Sequence, residues 1–142
     1  MTVSSGPASR VRVLVEGAAS GEALVLDEPL SFWGGVDPSD GRIIDRHHPQ
    51  HGEIVNEKVL VMPSGRGSSS SSSVLAETLR AGTGPVAILL AEPDPIVALG
   101  SVVAGELYGD SIPVLAVDRV AYEGITAGQV LRIGPDGRIV SL

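Results

Sequence analysis

Val59-Leu60-Val61-Met62-Pro63-Ser64-Gly65-Arg66-Gly67, then six serines from Ser68 to Ser73, then Val74-Leu75-Ala76-Glu77-Thr78-Leu79-Arg80-Ala81-Gly82: the reading of this stretch decides the fold. Val59 to Met62 has the length and β-branched content of a buried strand. Val74, Leu75, Thr78 and Leu79 share one face of a helix, and Gly82 is placed to stop it. The spacing therefore predicts strand, glycine turn and helix, with the helix beginning between Ser68 and Ser73. A flexible Ser-rich linker is the competing reading, since serine runs commonly serve that purpose. It does not explain a strand pattern entering the run and an amphipathic pattern leaving it.

The placement carries chemistry. The first turn of a helix has backbone N–H groups without internal partners and the positive end of the helix dipole, so it favours an anion. Gly65 and Gly67 permit positive φ and close approach. Arg66 offers a planar cation suited to carboxylate or phosphate.

Working outward, Val11, Val13 and Val15 alternate with other residues at a period of two and read as a strand. Residues 17–21 read as a small-residue turn and 23–26 as a second strand, closed by Asp27-Glu28-Pro29. Leu30 to Gly35 is apolar and holds Trp33, which reads as core or interface filling. It adjoins Asp37-Pro38-Ser39-Asp40-Gly41, a strong turn composition with Asp37 a candidate to face the site. After a short strand at 42–45, the histidines His47, His48 and His51 gather in one polar stretch. Adjacent histidines in a strand point to opposite faces and their spacing fits no zinc pattern, so no metal site is expected; His47 or His48 is expected beside the substrate.

Downstream, 86–90 reads as a central strand of a mostly parallel sheet. Asp94 is placed to cap a helix with Pro95 in its first turn, and Ile96, Leu99, Val102, Val103 and Leu107 are spaced for one face. Residues 113–117 read as another buried strand. The C-terminus, 129–133 and 138–140 around Gly134-Pro135-Asp136-Gly137, reads as a β-hairpin. The sum is an α/β fold with a mixed, mostly parallel sheet flanked by helices. Residues 1–10 are expected to be a flexible N-terminal tail and 11–142 a single domain.

Composition narrows the function. A single Phe, a single Trp and two Tyr leave the core to aliphatic side chains. The chain has no Cys, hence no disulfide and no thiolate ligand for zinc or iron–sulfur. The net charge of −7 opposes a nucleic-acid surface. No apolar run approaches the roughly 20 residues that cross a bilayer, and the N-terminus lacks a basic segment followed by an apolar one, so no membrane partner and a cytoplasmic location are expected. Gly65-Arg66-Gly67-Ser68 lacks the Gly-x-Ser-x-Gly elbow of serine hydrolases and the lysine of phosphate-binding loops.

The run from Met62 to Glu77, with Pro29-Leu30-Ser31-Phe32-Trp33-Gly34-Gly35-Val36-Asp37-Pro38 and Gly41-Arg42-Ile43-Ile44-Asp45-Arg46-His47-His48-Pro49, resembles the small subunit of aconitase X. The resemblance covers nearly the whole chain beyond the first ten residues and implies the swivelling β/β/α domain of the aconitase superfamily. There, a Gly-Ser-Ser-Arg-Glu motif supplies a serine base. Gly67-Ser68-Ser69 matches its first three positions, which makes Ser68 the candidate base, while Ser70 and Ser71 stand where the motif has Arg and Glu.

Arg66, Gly67, Ser69, Asp37 and His47 are then the candidate substrate contacts. The resemblance further implies a large partner subunit holding an iron–sulfur cluster, none bound by this chain. Its reaction would be dehydration of a small hydroxylated carboxylate, cis-3-hydroxy-L-proline first and mevalonate 5-phosphate as the alternative. A Lewis-acidic iron would draw off the hydroxyl while the base removes the proton. A non-catalytic domain holding a small anion is the competitor from another class.

Overall fold

The computed structural model describes residues 10–142. The strands are β1 (Val11–Val15), β2 (Ala19–Val25), β3 (Val36–Asp37), β4 (Arg42–Ile43), β5 (Val59–Met62), β6 (Ala87–Leu90), β7 (Val114–Val117), β8 (Val130–Ile133) and β9 (Ile139–Ser141). The helices are α1 (Ser69–Arg80), α2 (Pro95–Tyr108) and α3 (Arg119–Glu123). Seven strands form one mixed sheet in the order β1-β7-β6-β5-β2-β8-β9, and β3 pairs with β4 separately. The centre, β7 to β2, is parallel, in register at Ala23 with Val59, Leu60 with Ile88 and Leu89 with Leu115. Antiparallel strands flank it: β1 on β7, and β8 on β2 followed by the β8–β9 hairpin.

The central strands are apolar at every position because both faces of the sheet are covered. Leu60, Met62, Ile88 and Leu90 point to the side where α1 and α2 lie and join Leu75, Leu79 and Val97. Val59, Val61, Leu89 and Leu115 point the other way and meet Ala121 of α3 together with Leu131, Ile133 and Ile139 from the hairpin. Leu115 and Ile139 sit on strands near opposite ends of the sheet order, so their common cluster requires the sheet to curl. A Cβ on Gly137 in the hairpin turn would lie 2.7 Å from Val13 of β1, which shows the two edges approaching each other.

Both long helices begin and end as their sequences dictate. Ser68 caps α1, and beyond Ala81 the chain turns through Gly82 at φ +75°. Asp94 caps α2 by accepting from the amides of Ile96 and Val97, with Pro95 in the first turn and Gly109 closing it in the left-handed conformation.

Three expectations are corrected. The stretch 17–21 is mostly strand, because Ala19 to Glu22 ladder against Val130 to Ile133. The inner face of α2 is Val97, Gly100, Ser101 and Ala104, whereas Leu99, Val102 and Leu107 are exposed. Small residues face inward there because α1 lies close: a Cβ on Gly100 would stand 2.8 Å from the Leu75 side chain. Trp33 is 64% exposed, which overturns the core half of its reading and leaves the interface half standing. The helix α3, for which the sequence reading held no expectation, follows β7 directly and is capped by Asp118. The tail expected at the N-terminus lies outside the described residues except Arg10, whose amide donates to Asp118 Oδ2 at 2.6 Å. Among the described residues no helix is long and apolar enough to cross a membrane.

Candidate active site

Because β2, β5, β6 and β7 are parallel, their C-terminal ends share one edge of the sheet, the usual place for a site in such folds. The 64–68 loop, the Leu30-Ser31 segment, Asp94 and Asp118 all emerge at this edge. Leu30 bridges Gly65 as a short parallel contact, which lays the 29–35 segment beside the loop. Gly65 has no room for a side chain, since a Cβ would meet Asp94 Oδ2 and Val97 Cγ2 at 2.5 Å each. Gly67 takes φ +109°, a conformation that favours glycine.

Ser68 is the N-cap of α1, in extended backbone, and its hydroxyl accepts from the Ser70 amide at 3.4 Å. Its own carbonyl receives the Ser71 amide at 2.9 Å. Among the described residues, the amides of Gly67, Ser68 and Ser69 have no protein acceptor. The exposed Ser68 hydroxyl thus sits at the positive end of a helix, beside N–H groups open to an anion. The Arg66 side chain is exposed, and its guanidinium makes no hydrogen bond or ion pair among the described residues. It borders a small hollow with Phe32, Ser71, Asp94 and Ile96.

The structure therefore brings together Arg66, Gly67, Ser68 and Ser69. Asp37 stands elsewhere. Its carboxylate accepts from the Ser39 amide and hydroxyl, which holds its pKa below the ordinary carboxylate value. The next residue, Pro38, receives the Thr83 hydroxyl at 2.6 Å beyond the far end of α1, about 18 Å of helix from Ser68.

His47 is exposed on the 46–51 loop, its amide held by Asp45 at 2.9 Å. That loop is clipped to the end of β2 on the same edge as Ser68. His48 is buried, its Nδ1 accepts from the Gln50 amide at 3.0 Å, and its Nε2 accordingly donates to the Glu28 carbonyl at 3.1 Å. Gln50 also brackets Asp27 through both amide atoms. The histidine cluster is therefore structural at His48. Among the described residues no three His, Cys, Asp or Glu side chains group as a metal site.

Two residues near the loop carried no signal in spacing or composition. Ser31 meets the Ser71 hydroxyl at 2.8 Å across 40 positions of sequence, and Asp94, expected only as a cap, also abuts Gly65. Open clefts of about 480 Å³ beside Glu92 and Arg119, and of about 440 Å³ beside Asn56 and Pro85 at the opposite edge, hold none of the expected site residues.

Several known proteins are similar to this chain. The cis-3-hydroxy-L-proline dehydratase of Pseudomonas aeruginosa is 48% identical over 128 residues, 90% of this chain and 22% of that protein. The phosphomevalonate dehydratase small subunit of Methanosarcina acetivorans is 35% identical over 130 residues, 90% of this chain and 86% of that one. The chain thus spans about a fifth of the first curated relatives it matches and most of others. The crystal structure of Thermococcus kodakaraensis aconitase X in its holo form superposes with a TM-score of 0.81 at 35% identity, covering 96% of this chain and 99% of that one. With the sequence model of that family matching residues 8–142, the chain belongs to the aconitase X swivel domain family.

Proposed function

We propose that this chain is the swivel part of a dehydratase that removes water from a hydroxylated carboxylate, with Ser68 as proton acceptor. The observation that carries the reading is the Ser68 hydroxyl on the N-cap of α1, next to three amides without acceptors and the uncommitted Arg66. A serine hydroxyl is a weak base unless ionised, and N–H donors aimed at its oxygen favour the ionised form. In dehydration the base takes a proton from the carbon beside the carboxylate, the hydroxyl leaves the neighbouring carbon, and the electron pair between them becomes the double bond. Ser68 would take that proton. Arg66 and the amides of Gly67 and Ser69 would hold the carboxylate as charge develops on it.

An iron–sulfur cluster does not fit this chain, which has no cysteine to hold it. We assign the cluster to a large partner subunit. Departure of the hydroxyl is likewise left to groups outside this chain. His47, on the same edge, is retained as an outlying substrate contact, and Asp37, tied into its own turn, is not.

The substrate proposed first is cis-3-hydroxy-L-proline, supported by the Arg66-Gly67-Ser68-Ser69-Ser70 form of the loop and by the name of the 48% identical relative. Mevalonate 5-phosphate is the second reading, favoured by relatives of similar length named for that reaction. Both are tested by purifying the chain with a candidate large subunit and following dehydration of each compound. Turnover by the complex and none by the isolated chain is expected. Turnover by the isolated chain, or none by a complex with its cluster intact, overturns the reading.

A further inference from the structure

The hydroxyls of Ser31 and Ser71 are 2.8 Å apart, although one belongs to the segment after β2 and the other to the first turns of α1. Ser31 reaches the Trp33 carbonyl at 3.0 Å, and Ser71 reaches the Arg66 carbonyl at 3.2 Å. A hydroxyl has one proton, so either Ser31 donates to Ser71 while Ser71 donates to the Arg66 carbonyl, or Ser31 donates to the Trp33 carbonyl and the Ser71 proton is shared between Ser31 and Arg66. The pair also forms the floor under Gly67: a Cβ there would collide with Ser71 Oγ and stand 2.8 Å from Ser31 Oγ. The carbonyl before Gly67 is therefore held, and the side of Gly67 on which a Cβ would stand is closed by the same two oxygens. These contacts set the plane of the 66–67 peptide and the direction in which the chain enters Ser68.

We infer that Ser31 and Ser71 are positioning residues for the Ser68 loop, fixing the 66–67 peptide so that the open amides and the Ser68 hydroxyl converge on one point. This rests on the reading of Ser68 as proton acceptor, and it goes beyond that reading by giving the loop an external support. Ser72 marks the contrast. It is equally buried on the same helix, but its hydroxyl is spent on the Ile96 carbonyl of α2 at 2.8 Å and touches no loop atom by hydrogen bond.

The test has two arms. In the isolated chain, nuclear magnetic resonance relaxation and amide exchange are measured at residues 66–69 for wild type, Ser31→Ala, Ser71→Ala, Ser31→Thr and Ser72→Ala. Exchange broadening or a second conformer at 66–69 is expected in the two alanine variants at 31 and 71, with the wild-type pattern in Ser31→Thr, which keeps the hydroxyl, and in Ser72→Ala. In the reconstituted complex, Ser31→Ala and Ser71→Ala are expected to lower kcat by about 10-fold to 10²-fold, as small misplacements of reacting groups do. KM should rise as well, because the Gly67 and Ser69 amides proposed to hold the carboxylate move with the 66–67 peptide, and Ser31→Thr should recover both constants.

Unchanged loop amides in both alanine variants overturn the inference whatever the activity. A loosened loop with kcat unchanged overturns it as well. A loosened loop in a complex whose Ser68→Ala variant retains full turnover overturns the role of Ser68 and leaves the support of the loop standing.

Discussion

The hydroxyl of Ser72, in the second turn of the serine run, donates to the carbonyl of Ile96 in the first turn of α2, 24 positions away, at 2.8 Å. This pins the N-terminal ends of the two helices on the same side of the sheet, so the start of α1 is held from α2 as well as from the strand before it. Replacing Ser72 by alanine should lower stability by about 1 kcal/mol, the usual net worth of such a bond, and Tm by about 2 to 4 °C. Calorimetry of the chain alone measures the first effect. Kinetics of the complex should show kcat within about 2-fold of wild type, since the hydroxyl faces away from the loop.

Ser68→Ala should lower kcat of the complex by at least about 10²-fold, the low end of what a positioned acid–base group contributes, with a much smaller change in KM. The same change removes an N-cap and should cost about 1 kcal/mol of stability. Circular dichroism must therefore show the variant folded before its rate is read. Near wild-type kcat would move the search to Ser69 or to a base on the partner chain.

Arg66→Lys keeps the charge and removes the planar fork. If Arg66 grips the substrate carboxylate, KM should rise with kcat little changed; if it steadies the ionised Ser68, kcat should fall. Steady-state kinetics separates the two. No change in either constant would remove Arg66 from the site, and a loss of binding between chains would reassign it to the interface.

Gly67→Ala asks an L-residue to hold φ +109° with its Cβ against two hydroxyls. The loop should move, with kcat and KM both worsened and stability lowered by more than about 1 kcal/mol. Thermal melts and kinetics together check this. A variant as active and as stable as wild type would mean that the loop adopts another conformation in solution.

Asp37 has a folded-state pKa below its ordinary value of 3.8 because Ser39 donates to it through amide and hydroxyl. A depressed carboxylate favours folding above the unfolded pKa, and that contribution is lost as pH falls through the folded value. Asp37→Asn should therefore flatten the loss of stability below about pH 4, and should leave kcat near neutral pH unchanged. Chemical denaturation across pH 2.5 to 6 on the isolated chain measures the slope, about a range chosen to span the carboxylate values. A large fall in kcat would return Asp37 to the site.

Much of this was legible in the residues. Val59 to Met62 and Val86 to Leu90 announce central strands because strands covered on both faces must be apolar throughout, and Ser68, Asp94 and Gly82 mark helix ends by chemistry local to those ends. The loop around Ser68 followed from the same local signals. What escaped depends on contacts between distant parts. The inner face of α2 is made of Gly100, Ser101 and Ala104 because Leu75 presses against it, and periodicity alone favours the larger Leu99 and Val102. Gly21 looks like a turn residue until β8 lies beside it. Ser31 has no distinguishing neighbour in sequence, and its partner Ser71 is one among six identical residues.

Trp33 is the only tryptophan in the chain, and it stands 64% exposed with its carbonyl bound by the hydroxyl of Ser31. The protein thus carries a built-in optical reporter at one spot, one hydroxyl away from the support under Gly67. An indole in water emits further to the red than one sheltered by apolar atoms, so its emission registers any surface that closes over this edge. This chain adds no other indole to the signal, so seating of a partner can be followed by fluorescence without a label, as the difference from the emission of the partner alone, at a point adjoining the loop.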